Sequence, residues 1–169
     1  NRPVIIATGM ATLGEIEEVM GIYQAAKHKN IILLHCVSNY PCSEKSLNLR
    51  VIETLQAAFG VSVGFSDHST DFLASCIAVA LGAVVIEKHI TLDRNFPGPD
   101  HKASLEPSEL KAMVEGIRQI EEALGSSRKS PTPSELKNRS TVRRSLVAGR
   151  RIKKGEKFTE ENLTAKRPE

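Results

Sequence analysis

Four short apolar runs, each followed by a segment with helical periodicity, constrain the fold of this chain more than any other feature. The runs predict strands at Val4–Ala7, Ile31–Cys36, 61–66 and 83–87. Continuous apolar strands that alternate with helices are typical of a parallel sheet whose two faces are covered. The order of elements therefore predicts an α/β fold, and both a doubly wound sheet and a (β/α)₈ barrel fit it.

Recognisable helix signals follow the predicted strands. The first helix begins with a capping box, in which Thr12 caps the helix and Glu15 reaches back to it. The second helix ends at Gly60, a residue type that tolerates the left-handed conformation after a helix. The last begins at Pro107, which suits the first helical position. Four strand–helix units thus occupy residues 1–124, about half of the roughly 250 residues of a complete barrel.

Two observations favour the barrel over the doubly wound sheet. No glycine-rich phosphate-binding fingerprint follows any predicted strand, which counts against a dinucleotide-binding sheet. Polar residues instead follow the strand ends, at Thr8, 38–40, 66–68 and 88–89. A barrel builds its active site at this position.

Residues 125–141 are rich in Ser, Pro, Lys and Arg, which predicts a linker. Beyond it, 145–149 is a predicted strand and 159–163 a single helical turn, so we expect residues 142–169 to begin a small second domain. Half a barrel would have unpaired strand edges. We therefore expect a fragment of a longer enzyme, or a piece that must pair with its missing half.

Composition excludes several classes of partner. The net charge is only +3, Trp is absent and there are two Tyr, which argues against nucleic-acid binding. No apolar run approaches the roughly 20 residues of a membrane-spanning helix.

The three cysteines have no paired spacing, which suggests free thiols in a reducing compartment. We expect a cytoplasmic protein that binds neither nucleic acid nor membrane.

His68 and His89 are candidate metal ligands. Each lies just past the end of one of two consecutive predicted strands, and neighbouring strands lie about 4.8 Å apart, so the two imidazoles can converge on one ion. Ser66 shares a face with His68, as Glu87 does with His89. Two imidazoles with several waters form an open site that suits Mn²⁺ or Mg²⁺. The alternative is that both histidines only form hydrogen bonds at this edge.

Other polar residues have a structural interpretation beside a functional one. Asp100 can accept a proton from metal-bound water or orient it, or it is a turn residue. The Tyr40 hydroxyl can contact a ligand, or its ring packs over the loop. Ser38 and Ser66 can donate to an anion, or they cap the helices that follow. His35, inside a predicted strand, is interpreted as a core histidine.

A series of motifs resembles the N-acetylneuraminate (sialic acid) synthase family. The motifs are ATGM (7–10), LHCVSNYP (34–41), GFSDH (64–68), IEKH (86–89), PGPDHKASLEP (97–107) and KRP (166–168). They occur in the family's order along essentially the whole chain. The segment from Ser145 resembles the start of the antifreeze-like (SAF) domain that follows the barrel. The resemblance implies the second half of a TIM barrel followed by the beginning of a SAF domain.

The resemblance also implies an activity. Members of the family condense phosphoenolpyruvate with an N-acylmannosamine-type sugar and water, releasing phosphate and forming a nine-carbon 2-keto acid. They are expected to use Mn²⁺ (Mg²⁺ as the alternative) and to form homodimers with domain exchange. The alternatives are a legionaminic acid synthase, a non-catalytic carbohydrate-binding or assembly fragment, and a metal-dependent aldolase or epimerase. A pseudaminic acid synthase is disfavoured because residues 100–102 look unlike that branch.

Individual residues match family positions. By resemblance, His68 and His89 hold the metal, and Ser66 lies near phosphoenolpyruvate. Asp100 matches an acidic residue at the metal-bound water and the sugar aldehyde, and Tyr40 a residue beside the sugar. Arg167 matches an arginine that one subunit inserts into its partner's site, where it contacts the acyl group. Ser38 departs from members that carry Asn at its position. The family's phosphoenolpyruvate-binding lysines and a catalytic glutamate belong to the first half of the barrel.

Overall fold

The computed structural model describes residues 2–168, which divide into two compact units at residues 125/126. The first unit contains a four-stranded parallel sheet of β1 (Val4–Ala7), β2 (Ile31–Cys36), β3 (Ser62–Asp67) and β4 (Ile86–Lys88). The strands lie in the order of the sequence. This arrangement is that of consecutive strands of a barrel, and a doubly wound sheet would require the order to reverse.

Four helices alternate with these strands. They are α1 (Leu13–Ala25), α2 (Val51–Phe59), α3 (Leu73–Ala80) and α4 (Pro107–Leu124). The predicted boundary signals are confirmed, since Thr12 and Glu15 form the capping box of α1 and Gly60 ends α2 with φ of 62°. A second capping box, between Glu106 and Glu109, begins α4.

The core of this unit lies between the sheet and the helices. Leu33, Val63 and Phe65 alternate along β2 and β3, so their side chains point to the same face of the sheet. Ile52 and Leu55, one turn apart on α2, pack against them. All five side chains are almost completely buried. Each contributes roughly 1.5–3 kcal/mol by leaving water. This burial holds the helices against the sheet, whose strand ends carry the polar residues.

The opposite face of β3 is tightly closed at Gly64. A Cβ atom at this position would lie 2.5 Å from the carbonyl oxygen of Val85 and 2.6 Å from Cδ2 of Leu34. Real Cβ atoms do not approach backbone so closely, so only glycine allows β3 to lie this near the segment that leads into β4. Gly64 shares its face with Ser66, two residues closer to the strand end.

The second unit contains α5 (Pro133–Val142) and an antiparallel pair, β5 (Ser145–Ala148) and β6 (Leu163–Lys166). The strand at 145–149 was expected. Helix α5, however, lies largely in the predicted linker. Its formation is explained by a capping box between Thr132 and Glu135, with Pro133 at the first position. Local capping here prevails over a composition that is typical of linkers.

The connection between β5 and β6 is held by a buried asparagine. Asn162 is 1% exposed. Its Oδ1 accepts a hydrogen bond from the Thr159 backbone N–H at 2.8 Å, and its Nδ2 donates to the Lys157 carbonyl at 2.8 Å. The Leu163 N–H donates to the Thr159 carbonyl, as in one turn of helix. The expected turn at 159–163 is therefore present.

Candidate functional site

The carboxyl ends of β3 and β4 bring the two candidate metal ligands together. The strands are in register, with Ser66 opposite Glu87 and Asp67 opposite Lys88. His68 and His89 follow directly, and the centres of their rings lie 5.5 Å apart. The predicted meeting of the two imidazoles at adjacent strand ends is thus present in the structure.

Hydrogen bonding fixes which nitrogen of His68 carries the proton. Nδ1 lies 2.8 Å from the carbonyl oxygen of Val37, and a carbonyl can only accept, so Nδ1–H donates. Nε2 lies 3.4 Å from Ser66 Oγ. That hydroxyl uses its one hydrogen to donate to Glu87 Oε1 at 2.6 Å. The lone pair of His68 Nε2 is consequently left without a donor, and it is available to a metal ion.

The pair fits a divalent ion. Imidazole nitrogens bind such metals at about 2.1 Å, which places the centres of two rings that share one ion roughly 5 Å apart. The observed 5.5 Å is close to this value. Within the described part of the chain, the His89 ring makes no hydrogen bond, and no group of three or more His, Cys, Asp or Glu could hold a metal. Two protein ligands would make an open site rather than a closed structural one.

Tyr40 lies against both histidines. Its ring centre is 4.1 Å from that of His68 and 5.9 Å from that of His89. The residue is 50% exposed, so one side of the ring packs on the imidazoles and the other faces solvent. The Tyr40 ring thus packs on the histidines, which puts the phenol beside the pair. The contact of its hydroxyl with a ligand stays a prediction.

The other predicted site residues occupy separate positions. Ser38 follows β2, and its Oγ lies 3.5 Å from a Cβ built on Gly9, just past the end of β1. Asp100 precedes a short 3-10 turn, and its carbonyl oxygen accepts a 2.7 Å hydrogen bond from Ser104 Oγ. In residues 2–168, no hydrogen bond or ion pair joins the Asp100 carboxylate to another side chain. Arg167 belongs to the second unit, where its Nε donates to the Val142 carbonyl.

A buried ion pair lies on the opposite face of the same strand ends. Lys88 Nζ is 3.3 Å from Asp67 Oδ1, and the side chains are 2% and 0% exposed. Asp67 also accepts hydrogen bonds from the Ser69 backbone N–H at 2.8 Å and from Ser75 Oγ at 2.6 Å. Burial lowers the pKa of Lys88, and the neighbouring Asp67 carboxylate opposes that shift.

Sequence reasoning missed two of these contacts, the Ser66–Glu87 hydrogen bond and the Asp67–Lys88 pair. Their signal is the repetition of a polar residue, a charged residue and a histidine at the ends of 66–68 and 87–89. Once the two strands are in register, Ser66 pairs with Glu87 and Asp67 with Lys88 on adjacent rungs, and the two histidines follow directly. The register itself is a property of the sheet, which a single segment does not reveal.

His35 is a core histidine, as expected. Its Nε2–H donates to the Leu47 carbonyl at 2.7 Å, and its ring stacks on Phe65 with centres 5.9 Å apart. Burial lowers the pKa of His35. The three cysteines are free and buried. None of these groups takes part in the candidate site.

Comparison with known proteins identifies the family. The model of the NeuB family matches residues 1–129, and that of the SAF domain matches residues 143–169. The chain belongs to the NeuB family. The resemblance to sialic acid-type synthases is thereby confirmed, and so is the fold, half of a TIM barrel followed by the beginning of a SAF domain.

Relatives of this NeuB-family chain include enzymes of several sugar acids. It is 54% identical to N,N'-diacetyllegionaminic acid synthase of Campylobacter jejuni, over 99% of the chain and 51% of that protein. It is 41% identical to human N-acetylneuraminate-9-phosphate synthase, over 98% of the chain and 46% of that protein. The chain thus spans about half the length of the curated relatives it matches.

The solved structures agree with this assignment. The crystal structure of N-acetylneuraminic acid (sialic acid) synthetase from Leptospira borgpetersenii, in complex with citrate, superimposes with a TM-score of 0.74 at 40% identity. The match covers 80% of this chain and 47% of that one. Among residues 2–168, no helix combines the length and the apolar character that a membrane crossing requires.

Proposed function

We propose that this chain supplies the metal-binding part of a sialic acid-type synthase. The reaction condenses phosphoenolpyruvate with an N-acylmannosamine-type sugar and water, giving a nine-carbon 2-keto acid and phosphate. The observation that carries the proposal is the pair His68 and His89, whose rings lie 5.5 Å apart at adjacent strand ends of a NeuB-family chain. The open lone pair of His68 Nε2 supports it further.

In this proposal the two imidazoles hold a divalent ion, with Mn²⁺ preferred over Mg²⁺. When bound there, the ion supplies Lewis-acid polarisation of the aldehyde oxygen of the open-chain sugar. His68 is suited to hold it because the Val37 carbonyl fixes the ring and keeps the proton on Nδ1. Tyr40 covers one side of the pair and presents its phenol to the sugar.

The remaining residues would orient the substrates. Ser66 and Ser38 are hydroxyl donors for anionic phosphoenolpyruvate, and Ser66 must first turn its hydrogen away from Glu87. Asp100 would accept a proton from the water that adds to C2, the carbon that carries the phosphate in phosphoenolpyruvate. Arg167 would contact the acyl group of the sugar in the site of a second subunit of a homodimer.

Phosphate release tests this proposal directly. The complete enzyme, in which this chain is joined to the first half of the barrel, would be incubated with phosphoenolpyruvate, Mn²⁺ and N-acylmannosamine-type sugars, with phosphate measured by colorimetry and products by mass spectrometry. We expect phosphate release that requires both substrates and the metal, and that disappears in His68→Ala and His89→Ala. His28→Ala, a histidine that packs on Tyr23, is the control. Sugar binding without phosphate release would instead indicate a non-catalytic carbohydrate-binding fragment.

A second candidate differs only in the acceptor sugar. The 54% identity to an N,N'-diacetyllegionaminic acid synthase, against 41% to the human N-acetylneuraminate-9-phosphate synthase, favours an acceptor that carries two N-acetyl groups. Competition between acceptors with one and two N-acetyl groups separates the candidates. The acceptor with the higher kcat/KM identifies the product.

A further inference from the structure

The strands that carry the two candidate ligands are paired over only a short length. Strand β4 has three residues, and its register with β3 consists of three pairs. The last of these is Asp67 opposite Lys88. Beyond it, the chain leaves β3, and Ile90 forms an isolated bridge with Leu105. His89 therefore follows the last rung that ties the two strands to each other.

At this last rung, one side chain is bonded to both neighbours of His68. Lys88 Nζ forms the ion pair with Asp67, directly before His68, and donates to the backbone carbonyl of Ser69, directly after it. Asp67 in turn binds the Ser69 backbone N–H. Lys88 itself is the residue before His89. The backbone on both sides of His68 is thus joined to the residue that precedes the second imidazole.

The far side of His89 is fixed as well. Its carbonyl oxygen accepts a 2.9 Å hydrogen bond from the Leu105 backbone N–H. Asp67 is anchored to α3 through Ser75 Oγ. The network consequently connects the end of β3, the end of β4 and the helix behind them, and it lies on the face of the sheet opposite to the imidazoles.

A purely stabilising role explains this arrangement poorly. Removing two charges from water is costly, and an apolar pair of similar size is often as stable or more stable at a buried position. Several buried ionic or polar groups are known to specify a unique geometry instead. At this position, the separation of His68 and His89 is the geometry that such a pair can specify.

We propose that the buried Asp67–Lys88 pair positions His68 relative to His89, so that Lys88 is a positioning residue for the metal site. This inference rests on the proposed function, because it needs the two histidines to share an ion. Neither Asp67 nor Lys88 would contact a bound ion. They act through the backbone that carries the two ligands.

The test is a Mn²⁺ titration of the protein without substrates, followed by the electron paramagnetic resonance signal of free Mn²⁺. Lys88→Met alone would leave Asp67 buried without a counter-ion and could prevent folding. The informative variant is therefore the neutral double variant Asp67→Asn/Lys88→Met, in which the asparagine can still accept from the Ser69 N–H. Ile52→Val and Leu55→Ala, in the core, provide controls matched in urea stability.

We expect the double variant to bind Mn²⁺ at least about tenfold more weakly, which is the usual effect of mutating a residue that supports a metal ligand. The control of matched stability should keep the wild-type Kd. The visible absorption spectrum of the Co²⁺-loaded double variant should change as well, since it reports the arrangement of the ligands. A wild-type Kd and Co²⁺ spectrum in the double variant would overturn the positioning role alone. A wild-type protein that does not bind Mn²⁺ would overturn the proposed function and this inference with it.

Discussion

Ser66 and Glu87 face each other across β3 and β4, and the serine hydroxyl donates a 2.6 Å hydrogen bond to the glutamate carboxylate. Ser66 is buried, whereas Glu87 is exposed on the same face of the sheet as the imidazoles. The serine therefore engages its only hydrogen with a carboxylate beside the histidine pair. Any anionic ligand that uses this hydroxyl must compete with Glu87.

Ser66→Ala tests that competition. If Ser66 donates to phosphoenolpyruvate as proposed, the variant loses that donor, so we expect KM for phosphoenolpyruvate to rise about tenfold, equivalent to roughly 1.4 kcal/mol, and Mn²⁺ affinity to stay close to wild type. Stability should change by no more than about 1.5 kcal/mol, because the lost partner is an exposed carboxylate. Steady-state kinetics measure the first effect and urea unfolding the second. Ser43→Ala, at an exposed hydroxyl, should leave KM unchanged; a wild-type KM in Ser66→Ala would remove Ser66 from substrate binding.

Strand periodicity made part of the site predictable. Ser66 and His68 share a face, as do Glu87 and His89, and consecutive parallel strands end at the same edge, so the meeting of the imidazoles follows from the sequence. The Asp67–Lys88 pair needed more, because a shift of one residue between β3 and β4 would separate its partners. That register depends on packing such as the close approach at Gly64.

Other features depend on information outside a local pattern. Helix α5 has clear capping signals at Thr132 and Glu135, but the polar composition around them is equally typical of a linker. The role predicted for Arg167 would involve a second subunit, and those predicted for Asp100 and Ser38 would involve bound substrates. These roles stay predictions, since single-chain packing places the residues without showing what they contact in a complex.

Gly64→Ala should destabilise the protein. The added Cβ would meet the Val85 carbonyl at 2.5 Å, and backbone cannot move away as a flexible side chain can. We expect a loss of about 1–3 kcal/mol, as for other overpacked positions, measured by urea unfolding. Gly21→Ala is the matched control, because nothing lies within 4 Å of its Cβ position in the middle of α1. It should be stabilising by up to about 1 kcal/mol; equal effects of the two substitutions would argue against a close approach at Gly64.

Asn162→Ala should loosen the connection between β5 and β6. The substitution removes the partners of the Thr159 N–H and the Lys157 carbonyl, and each hydrogen bond lost costs about 0.5–1.5 kcal/mol. Amide hydrogen exchange of β5 and β6 should become faster. Asn138→Ala, on the exposed surface of α5, should leave their exchange unchanged. Unaltered protection in Asn162→Ala would show that the strands do not depend on this side chain.

The stability of the protein should fall when the pH drops below the ordinary pKa of histidine, because of His35. Burial holds the pKa of this residue below 6.5 in the folded state, so the unfolded chain takes up a proton at a higher pH than the folded chain does. The unfolded state then binds more protons, and the free energy of unfolding decreases between pH 6.5 and the lowered folded pKa. Above pH 6.5 this contribution is fully present.

The substitution His35→Gln isolates that contribution. Glutamine does not titrate in this range, and its side-chain amide can donate to the Leu47 carbonyl in place of the Nε2–H group of His35. Urea unfolding at a series of pH values should show a shallower fall below pH 6.5 in the variant than in wild type. The variant also loses the stacking of the imidazole on Phe65, which lowers its free energy of unfolding at neutral pH. That loss does not change the slope. Identical slopes for the two proteins would mean that His35 accepts its proton in the folded state as readily as in the unfolded one, which its buried position opposes.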